Sequence, residues 1–324
     1  MTTVLGTRLL RKEDAEILSG EARYIDDLAI PGALWLAVVR SPHARARIRA
    51  IDASAARAAD GVVAVYTGED LMGEWAGPLP VALTATPEQK VPAHYPLSSG
   101  TVNYVGEAVA VVVARSRTQA VDALEGVTVE YDPLEAVVDL EDSLSDRIVI
   151  HEDLGTNASY TWPCQPDEAA VDAAFAAAAH TVKERFIQQR LIPSAMEPRG
   201  ACAVPAPFGG DFTLYTSTQI PHILRVLLAL TLGISEAKLR IVAPAVGGGF
   251  GAKLNIYPEE VLCLALARKL KKPVRWTEER TESSQASIHG RGQVQNIELA
   301  ADADGKVTAV RVRLIADMGA YFRL

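Results

Sequence analysis

Residues 239–270 read LRIVAPAVGGGFGAKLNIYPEEVLCLALARKL, and this stretch decides how the chain folds. It opens with a short, largely apolar segment that suits a buried strand, and residues 258–270 predict a helix with Pro258 in its first turn. Between the two lies the glycine run from Gly247 to Gly251. Consecutive glycines allow positive φ and close approach to a ligand, and their N–H groups can form a concave nest for an anion or a polarised oxygen. The stretch therefore predicts a backbone ligand site between a strand and a helix.

The glycine run alone leaves other interpretations open. It is compatible with a tight loop that binds nothing. It also fits the dinucleotide fingerprint G-x-G-x-x-A through Gly247, Gly249 and Ala252, although that fingerprint opens its helix directly and residues 253–257 intervene here. A Walker A loop is excluded because its Gly-Lys-Ser/Thr sequence is absent. A Rossmann-like dinucleotide-binding protein therefore remains the alternative.

The rest of the chain interleaves short apolar segments with helical ones. Residues 73–99 hold five prolines and predict an irregular loop, and residues 134–154 are acidic and predict a linker. The interleaving predicts the fold class α+β (mixed α/β). Further strands are predicted over 33–40, 62–66, 108–114, 127–131, 182–189, 200–204, 212–216, 274–277, 297–300 and 307–315, the last two joined by a hairpin turn, and further helices over 54–59, 117–124, 173–179 and 223–232.

Composition narrows the class of protein. The chain has 324 residues, 49% of them hydrophobic, which is enough for one large domain or two medium ones. Its net charge of −8 argues against a nucleic-acid binder. The early charges at Arg8 and Arg11 argue against a signal peptide, and no apolar run approaches the ~20 residues of a membrane span. Three cysteines far apart indicate neither a zinc site nor a disulfide framework, so we expect a cytoplasmic protein.

Six motifs in a fixed order carry a family resemblance. Together they resemble the molybdopterin-binding large subunit of the xanthine dehydrogenase, aldehyde oxidase and aerobic carbon monoxide dehydrogenase family, in its N-terminal portion, from about Gly6 to Tyr321. The motifs are GEARYIDD at 20–27, RSPHA at 40–44, VGEAVA at 105–110, MEPRG at 196–200, STQ at 217–219 and the glycine run.

The resemblance implies an architecture and an activity. Residues 1–133 would form the family's α/β hammerhead domain, residues 134–154 a linker, and residues 155–324 the first part of the molybdenum-cofactor-binding domain. The implied activity is oxidative hydroxylation of a small substrate, namely carbon monoxide, an aldehyde or an N-heterocycle. A non-catalytic subunit that only covers the cofactor is the other interpretation.

The same resemblance implies cofactors and partners. The cofactor would be molybdopterin, in its cytosine dinucleotide form, with molybdenum. No protein side chain has to bind the metal, because the pterin's dithiolene sulfurs do. FAD and 2Fe-2S clusters are expected on partner subunits, since no iron–sulfur cysteine motif is present. The C-terminal half of the large subunit would come from a separate chain or is missing here, and we expect this chain alone to be inactive.

Site residues follow from the matched motifs. Gln219 matches the family's glutamine beside an oxo ligand of molybdenum, where its amide N–H can donate a hydrogen bond. Gly249, Phe250 and Gly251, with Gly248 in the same run, match the loop whose backbone N–H groups reach that oxo group and the pterin. The resemblance therefore implies cofactor contacts for all five residues, and a catalytic role for Gln219 and Phe250.

Two further positions bear on the substrate. Glu197 lies in the turn that approaches the substrate side in the family, which implies a catalytic role; without the resemblance, an ion pair with Arg199 or Arg190 would explain it equally well. Leu254 stands where purine-oxidising members carry a substrate-binding glutamate, so xanthine is a less favoured substrate.

Overall fold

The computed structural model describes residues 5–164, 167–207 and 210–322 of the chain. Strands and helices are interleaved along it, which confirms the mixed α/β class. The strands of these residues are β1 (Leu34–Arg40), β2 (Ala46–Asp52), β3 (Val62–Thr67), β4 (Thr101–Val102), β5 (Ala108–Ala114), β6 (Thr128–Pro133), β7 (His180–Leu191), β8 (Gly200–Pro205), β9 (Phe212–Thr216), β10 (Leu239–Val242), β11 (Val274–Thr277), β12 (Gly290–Ala301) and β13 (Val307–Ala316).

The helices are short apart from three. None of those in the described residues is long and apolar enough to cross a membrane. They are α1 (Asp14–Ser19), α2 (Ser54–Ala58), α3 (Gly68–Leu71), α4 (Arg117–Asp122), α5 (Leu140–Ser143), α6 (Glu168–Ala177), α7 (Pro221–Leu232), α8 (Pro258–Leu270) and α9 (Arg280–Ala286).

One seven-stranded sheet joins the two halves of the chain, in the order β10-β9-β8-β11-β1-β5-β3. The junction is the parallel pair of β1 and β11, in which Leu34 lies opposite Val274. A single apolar core follows the sheet across this junction, because Leu36 and Val111 of the first half belong to the same buried cluster as Leu214 and Val261 of the second. The division at residues 133 and 154 stays a prediction, but the segments on its two sides share one core.

The middle of the first half is strand β5. All seven of its residues are buried, as expected of an alanine and valine run that packs on both faces. It pairs antiparallel with β1 and β3. The next strand, β6, pairs instead with β2 in a separate sheet of order β4-β2-β6. The consecutive strands 108–114 and 127–131 therefore belong to different sheets.

Two helices of the second half place the glycine run. Helix α7 starts with a proline, ends at the left-handed Gly233 (φ 64°) and connects the parallel strands β9 and β10. Helix α8 is buried over its first ten residues, Pro258 to Ala267. Since Gln219 lies between β9 and α7 and the glycine run lies between β10 and α8, both emerge beyond the ends of two neighbouring strands.

The third sheet has the order β13-β12-β7 and is antiparallel throughout. The predicted hairpin turn between its last two strands is confirmed. There, Asp302 Oδ1 accepts hydrogen bonds from the N–H groups of Asp304 and Lys306, and Gly305 has φ 82°.

Candidate functional site

Gln219 and the glycine run hold each other in place. The side-chain Oε1 of Gln219 accepts hydrogen bonds from the N–H groups of Gly251 (3.1 Å) and Lys253 (3.3 Å), and its own backbone N–H donates to the carbonyl of Lys253 (2.8 Å). A Cβ on Gly249 would lie 2.4 Å from Cδ of Gln219. Glycine is therefore needed at position 249 for Gln219 to reach the loop.

Several N–H donors of this assembly have no acceptor among the described residues. Because Oε1 of Gln219 is occupied by two N–H groups, the amide orientation is fixed and Nε2 is left as a donor on an exposed side chain. Within residues 210–322 and the other described ranges, the N–H groups of Gly248, Gly249 and Phe250 have no acceptor. Gly248 (φ 100°) and Phe250 (φ 52°) both have positive φ. The loop thus presents unpaired N–H groups beside one amide, an arrangement that suits a polarised oxygen or an anion.

This finding refines the expectation for Gly251. Its N–H donates to Gln219, so its contribution is to hold that side chain, and the N–H groups left for a ligand belong to the three residues before it. Phe250 projects outward with 74% of its surface exposed. Its ring lies beside Gly248, where an added Cβ would meet Cε2 of Phe250 at 2.8 Å.

Glu197 anchors the start of the glycine run. Its Oε2 accepts hydrogen bonds from Ser217 Oγ (2.6 Å), from the N–H of Gly247 (2.8 Å) and from Lys253 Nζ (2.8 Å). Lys253 is only 2% exposed, and this burial lowers the pKa of its ammonium group although Glu197 opposes the shift. The other carboxylate oxygen, Oε1, is buried and has no partner among the residues that the structure describes. Glu197 therefore connects both ends of the loop and retains one free acceptor.

The ion pair of Glu197 with Arg199 or Arg190, which would have explained this glutamate without a ligand, is not formed. Arg199 pairs with Glu278 (2.6 Å) and Glu259 (3.1 Å), and Arg190 pairs with Asp317. The charge partner of Glu197 is Lys253, which follows the glycine run in sequence. A role of Glu197 toward substrate stays a prediction, and so does a catalytic role for Phe250 and Gln219.

A buried ionic cluster lies beneath the loop. The guanidinium of Arg199 stacks over the ring of Tyr257, 3.8 Å from its centroid, and lies between two carboxylates. Burial disfavours its charge, but the carboxylates of Glu259 and Glu278 outweigh burial and raise the pKa of Arg199. Burial likewise raises the pKa of Glu259, but Arg199 and Arg40 prevail and lower it to about 2.

The pKa of Glu260, the residue after Glu259 on α8, is shifted in the opposite direction. Burial raises the pKa of Glu260 to about 7, against hydrogen bonds from Thr216 and the backbone of Tyr257. The hydroxyl of Thr216 has one proton but lies within reach of both Gly200 O (3.0 Å) and Glu260 Oε1 (2.7 Å). A protonated Glu260 satisfies both contacts. Its carboxyl group donates a hydrogen bond to the hydroxyl of Thr216, and that hydroxyl donates its own proton to the carbonyl of Gly200. Both side chains, with Ser217 and Lys253, line a cavity of about 10 Å³, room for about one water molecule.

Sequence patterns did not reveal the partners that hold the site. Ser217 lies within the Ser-Thr-Gln motif, and Lys253 directly follows the glycine run. A lysine between a glycine run and a buried helix indicates a buried ion pair. The sequence does not indicate which carboxylate pairs with it, because Glu197 lies 56 residues away. In the described ranges, no group of three or more His, Cys, Asp or Glu side chains is placed to hold a metal ion.

Comparisons with known proteins agree with this geometry. Two family models match: the a/b hammerhead domain of aldehyde oxidase and xanthine dehydrogenase over residues 19–135, and the molybdopterin cofactor-binding domain over residues 150–324. The Rossmann-like alternative is not supported, since these models match the chain and residues 252–257 separate the glycine run from α8.

Individual relatives are large subunits. The chain is 38% identical to the carbon monoxide dehydrogenase large chain of Hydrogenophaga pseudoflava over 97% of its own length and 40% of the relative's. It is 37% identical to the nicotine 6-hydroxylase large subunit of Paenarthrobacter nicotinovorans, covering 98% of itself and 38% of that subunit. The crystal structure of quinoline 2-oxidoreductase from Pseudomonas putida 86 superposes with a TM-score of 0.94 at 38% identity, over 99% of this chain and 40% of that one. The chain thus spans about 40% of the length of such relatives.

With both family models matched in order, the chain belongs to the xanthine dehydrogenase, aldehyde oxidase and carbon monoxide dehydrogenase family, and it carries the hammerhead domain and molybdopterin cofactor-binding domain of a large subunit.

Proposed function

We propose that this chain supplies one wall of the molybdenum-cofactor site in a molybdenum hydroxylase. The observation that carries the proposal is the pairing of Gln219 with the glycine run. Its Oε1 is held by loop N–H groups, which leaves its amide N–H and, within the described residues, the N–H groups of Gly248, Gly249 and Phe250 unpaired and available to a ligand.

The residues present fit such a cofactor. Gly249 is kept free of a Cβ by its contact with Gln219, and the loop has the positive φ values of an oxygen-binding nest. The free Oε1 of Glu197 offers an acceptor at the other end of the loop. When bound, the molybdopterin cofactor would supply the metal centre at which the substrate carbon is oxidised and electrons are taken up.

The protein's contribution would be fixed hydrogen-bond donors. Gln219 is oriented before any ligand binds, because two backbone N–H groups hold its carbonyl oxygen. Donors that need no reorganisation stabilise developing negative charge on oxygen, and the loss of one typically costs ~10²–10³ in rate. Glu197 and Lys253 would act by position, since both hold the loop.

The proposal also covers the form of the cofactor, the partner subunits, the substrate and the cellular compartment. We assign the cytosine dinucleotide form of the cofactor, with FAD and 2Fe-2S subunits as electron acceptors and the rest of the large subunit as a further partner. The substrate would be carbon monoxide, an aldehyde or an N-heterocycle; relatives named for carbon monoxide, nicotine and quinoline support the first and last of these. We place the enzyme in the cytoplasm, on the cysteine pattern of the sequence alone.

The test compares Gln219→Ala with a matched control in the assembled complex. We expect Gln219→Ala to lower turnover per molybdenum atom by ~10²-fold, with or without loss of molybdenum, because one oriented donor is lost. Gln189→Ala removes a similar exposed amide from β7 and should leave both properties unchanged. Molybdenum is measured by mass spectrometry of the metal, the pterin nucleotide by chromatography, and turnover with carbon monoxide, an aldehyde and quinoline.

The outcomes separate the candidate roles. Lost molybdenum with unchanged turnover per molybdenum atom would indicate a subunit that only covers the cofactor. Unchanged molybdenum content and unchanged turnover in Gln219→Ala would overturn the assignment of this residue.

A further inference from the structure

Glu260 is a buried carboxyl group beneath the glycine run. It lies in the first turn of α8 and is only 6% exposed. Its Oε2 accepts a hydrogen bond from the backbone N–H of Tyr257 (3.1 Å), and its Oε1 lies 2.7 Å from Oγ1 of Thr216. The proposed contacts to the cofactor do not involve this side chain, so its presence in the interior needs another explanation.

The hydrogen bonds around Thr216 require a proton on Glu260. The hydroxyl of Thr216 has one hydrogen atom and lies within hydrogen-bond distance of two oxygens, Oε1 of Glu260 and the carbonyl of Gly200 (3.0 Å). A carboxylate would compete with that carbonyl for the same hydrogen atom, whereas a carboxylic acid donates its own. The carbonyl of Gly200 also accepts the N–H of Ser217 (3.1 Å). The proton of Glu260 therefore completes a chain of hydrogen bonds that reaches Ser217.

This chain of hydrogen bonds continues into the Ser-Thr-Gln segment, residues 217–219. Thr216 is the last residue of β9 and directly precedes that segment. Oγ of Ser217 donates to Oε2 of Glu197 (2.6 Å), and the same oxygen accepts the N–H of Gly247. A change in the protonation of the buried acid is thus connected through two neighbouring residues to the start of the glycine run.

The small cavity provides a second connection to the loop. It is lined by side chains that include Glu260, Thr216, Ser217 and Lys253. The ammonium group of Lys253 pairs with Glu197 (2.8 Å) and is almost completely buried. A second carboxylate charge at this cavity would compete with Glu197 for that ammonium group. Ionisation of Glu260 would therefore weaken the ion pair that holds the loop.

Titratable groups face Glu260 from several elements. Burial is the main cause that raises its pKa to about 7; Glu259 adds to this shift and Arg199 opposes it. Arg199 already pairs with Glu259 and Glu278, so much of its charge is compensated. Helix α7 faces α8 with apolar side chains of the shared core. The groups around Glu260 are Glu259 and Cys263 on α8, Lys253 and Tyr257 before α8, Arg199 before β8 and Glu278 after β11.

We propose that Glu260 is a positioning residue for the glycine run, and that its proton holds Thr216 and Lys253 in the arrangement that fixes the loop. When the proton is lost, the hydroxyl of Thr216 turns from Gly200 to the new carboxylate. Lys253 is then drawn from Glu197 toward the cavity, and the loop loses part of its support. The loop is thus better ordered below about pH 7 than above it. The inference rests on the proposed function only for what the loop binds, because these hydrogen bonds lie within this chain.

Infrared spectroscopy of the chain tests the protonation of Glu260. A carboxylic acid has a C=O stretch that is separate from the carboxylate bands, and we expect such a band to disappear as the pH rises through about 7. Glu107 is a second buried carboxyl group with a raised pKa. The difference spectrum between the natural chain and Glu260→Gln therefore isolates the band of Glu260.

Hydrogen exchange tests whether this proton positions the loop. Protection factors, which are corrected for the intrinsic pH dependence of exchange, are measured by mass spectrometry for peptides within residues 245–256. We expect the natural chain to lose protection about tenfold between about pH 6 and pH 8.5, the effect that loss of one hydrogen bond typically has. Glu260→Gln should keep its protection at both pH values, because its amide donates to Thr216 without titrating.

Two hydroxyl deletions separate positioning from general stability. Thr216→Val removes the hydroxyl that connects Glu260 to the Ser-Thr-Gln segment, so it should lower loop protection at about pH 6 and reduce the change with pH. Thr231→Val is the matched control. Thr231 is also 1% exposed, and its hydroxyl donates to the carbonyl of Leu227 within α7 (2.8 Å). This control should keep the full change with pH.

Each outcome bears on one claim. The proposal is overturned if the acid band is absent, if loop protection in the natural chain is the same at both pH values, or if Glu260→Gln keeps the full change, which would assign the titration to another group such as Lys253. An equal change in Thr216→Val and Thr231→Val would also overturn it. Molybdenum in the assembled complex is measured separately. A complex without molybdenum, from a chain that shows the change, would support the role of Glu260 and contradict the proposed function.

Discussion

At Gly249, a hydrogen atom where other residues have a Cβ allows Gln219 to lie against the loop. The constraint comes from the neighbouring side chain and not from the backbone, since Gly249 has no positive φ. At Gly251 the situation is reversed, because φ is 87° and the space around the missing Cβ is open. The two glycines of one motif are thus required for different physical reasons.

The substitution Gly249→Ala tests this difference. We expect it to displace Gln219 and to lower molybdenum content or turnover by ~10²-fold, since an added Cβ would lie 2.4 Å from the Gln219 side chain. Gly77→Ala is the control, because no atom lies within 4 Å of the added Cβ. Metal analysis and steady-state kinetics of the assembled complex measure the effect. Equal loss in both variants would show that general destabilisation is responsible.

Much of the site at this scale was predictable from motifs. Gln219 and the glycine run are brought together as expected. The interaction of Glu197 with Lys253 was not predictable, because charge pairing over 56 residues depends on how β8 and the β10–α8 loop meet in space. The use of the Gly251 N–H inside the protein also depends on the three-dimensional path of the loop.

Helix α8 carries two adjacent glutamates with opposite titration behaviour. Glu259 faces Arg40 and Arg199 and stays charged, while Glu260 faces Thr216 and a small cavity and has a pKa of about 7. The pKa of Glu260 is raised above its ordinary value of 4.5, so the folded state binds the proton more tightly than the unfolded chain. Its contribution to stability is present below about pH 4.5 and is lost as the pH rises through 7.

Glu260→Gln should remove this part of the pH dependence. The amide mimics the protonated acid. The free energy of unfolding of the variant, relative to that of the natural chain, should therefore increase as the pH rises from 5 to 8, by up to about 3 kcal/mol. Denaturant unfolding at both pH values measures the difference. The exposed Glu236→Gln serves as control and should show no such trend. A constant difference between the natural chain and Glu260→Gln across this range would refute the assignment.

Elements with strong apolar patterns were predicted with their bounds. Strands β5, β9 and β11 and helix α8 occupy the predicted residues. Strand β12 begins at Gly290, well before the predicted 297, because its polar first half is stabilised by pairing with β7 rather than by its own pattern. Helix α6 was predicted over 173–179, which is wrong at both ends; it begins at Glu168 behind Asp167, whose side chain accepts the N–H of Ala170, and ends at Ala177. Helix α9 was missed since its sequence, RTESSQA, has no apolar period.

At the scale of the whole molecule, the seven-stranded sheet makes the two halves interdependent. The β1–β11 pair is reinforced by Arg40, which binds Glu259 (2.7 Å) and Glu282 (2.8 Å), and by Arg275, which binds Asp26 (3.0 Å). These contacts could not be predicted, because sequence patterns identify strands but not the order in which distant ones pair.

A fragment of residues 5–149 should therefore not fold cooperatively by itself. It keeps β1, β3 and β5 but loses β11 and the apolar side chains of α7 and α8 that complete the shared core. We expect weak near-UV circular dichroism, a broad thermal transition and binding of an apolar dye. The complete chain provides the comparison. A sharp, reversible melt of the fragment would mean that the first half has an independent core.

The β1–β11 junction also has a consequence for synthesis of the chain. Arg40, the last residue of β1, and Glu282, which follows β11 on α9, form an ion pair across 242 residues of sequence. Ribosomes add about 5–20 residues per second, so β1 emerges roughly 10–50 s before its parallel partner. During that interval β5 can protect one edge of β1, while the other edge and its leucine side chains stay open to aggregation. The yield of folded protein therefore depends on how well the first half is shielded, by chaperones or low temperature, until the second half leaves the ribosome.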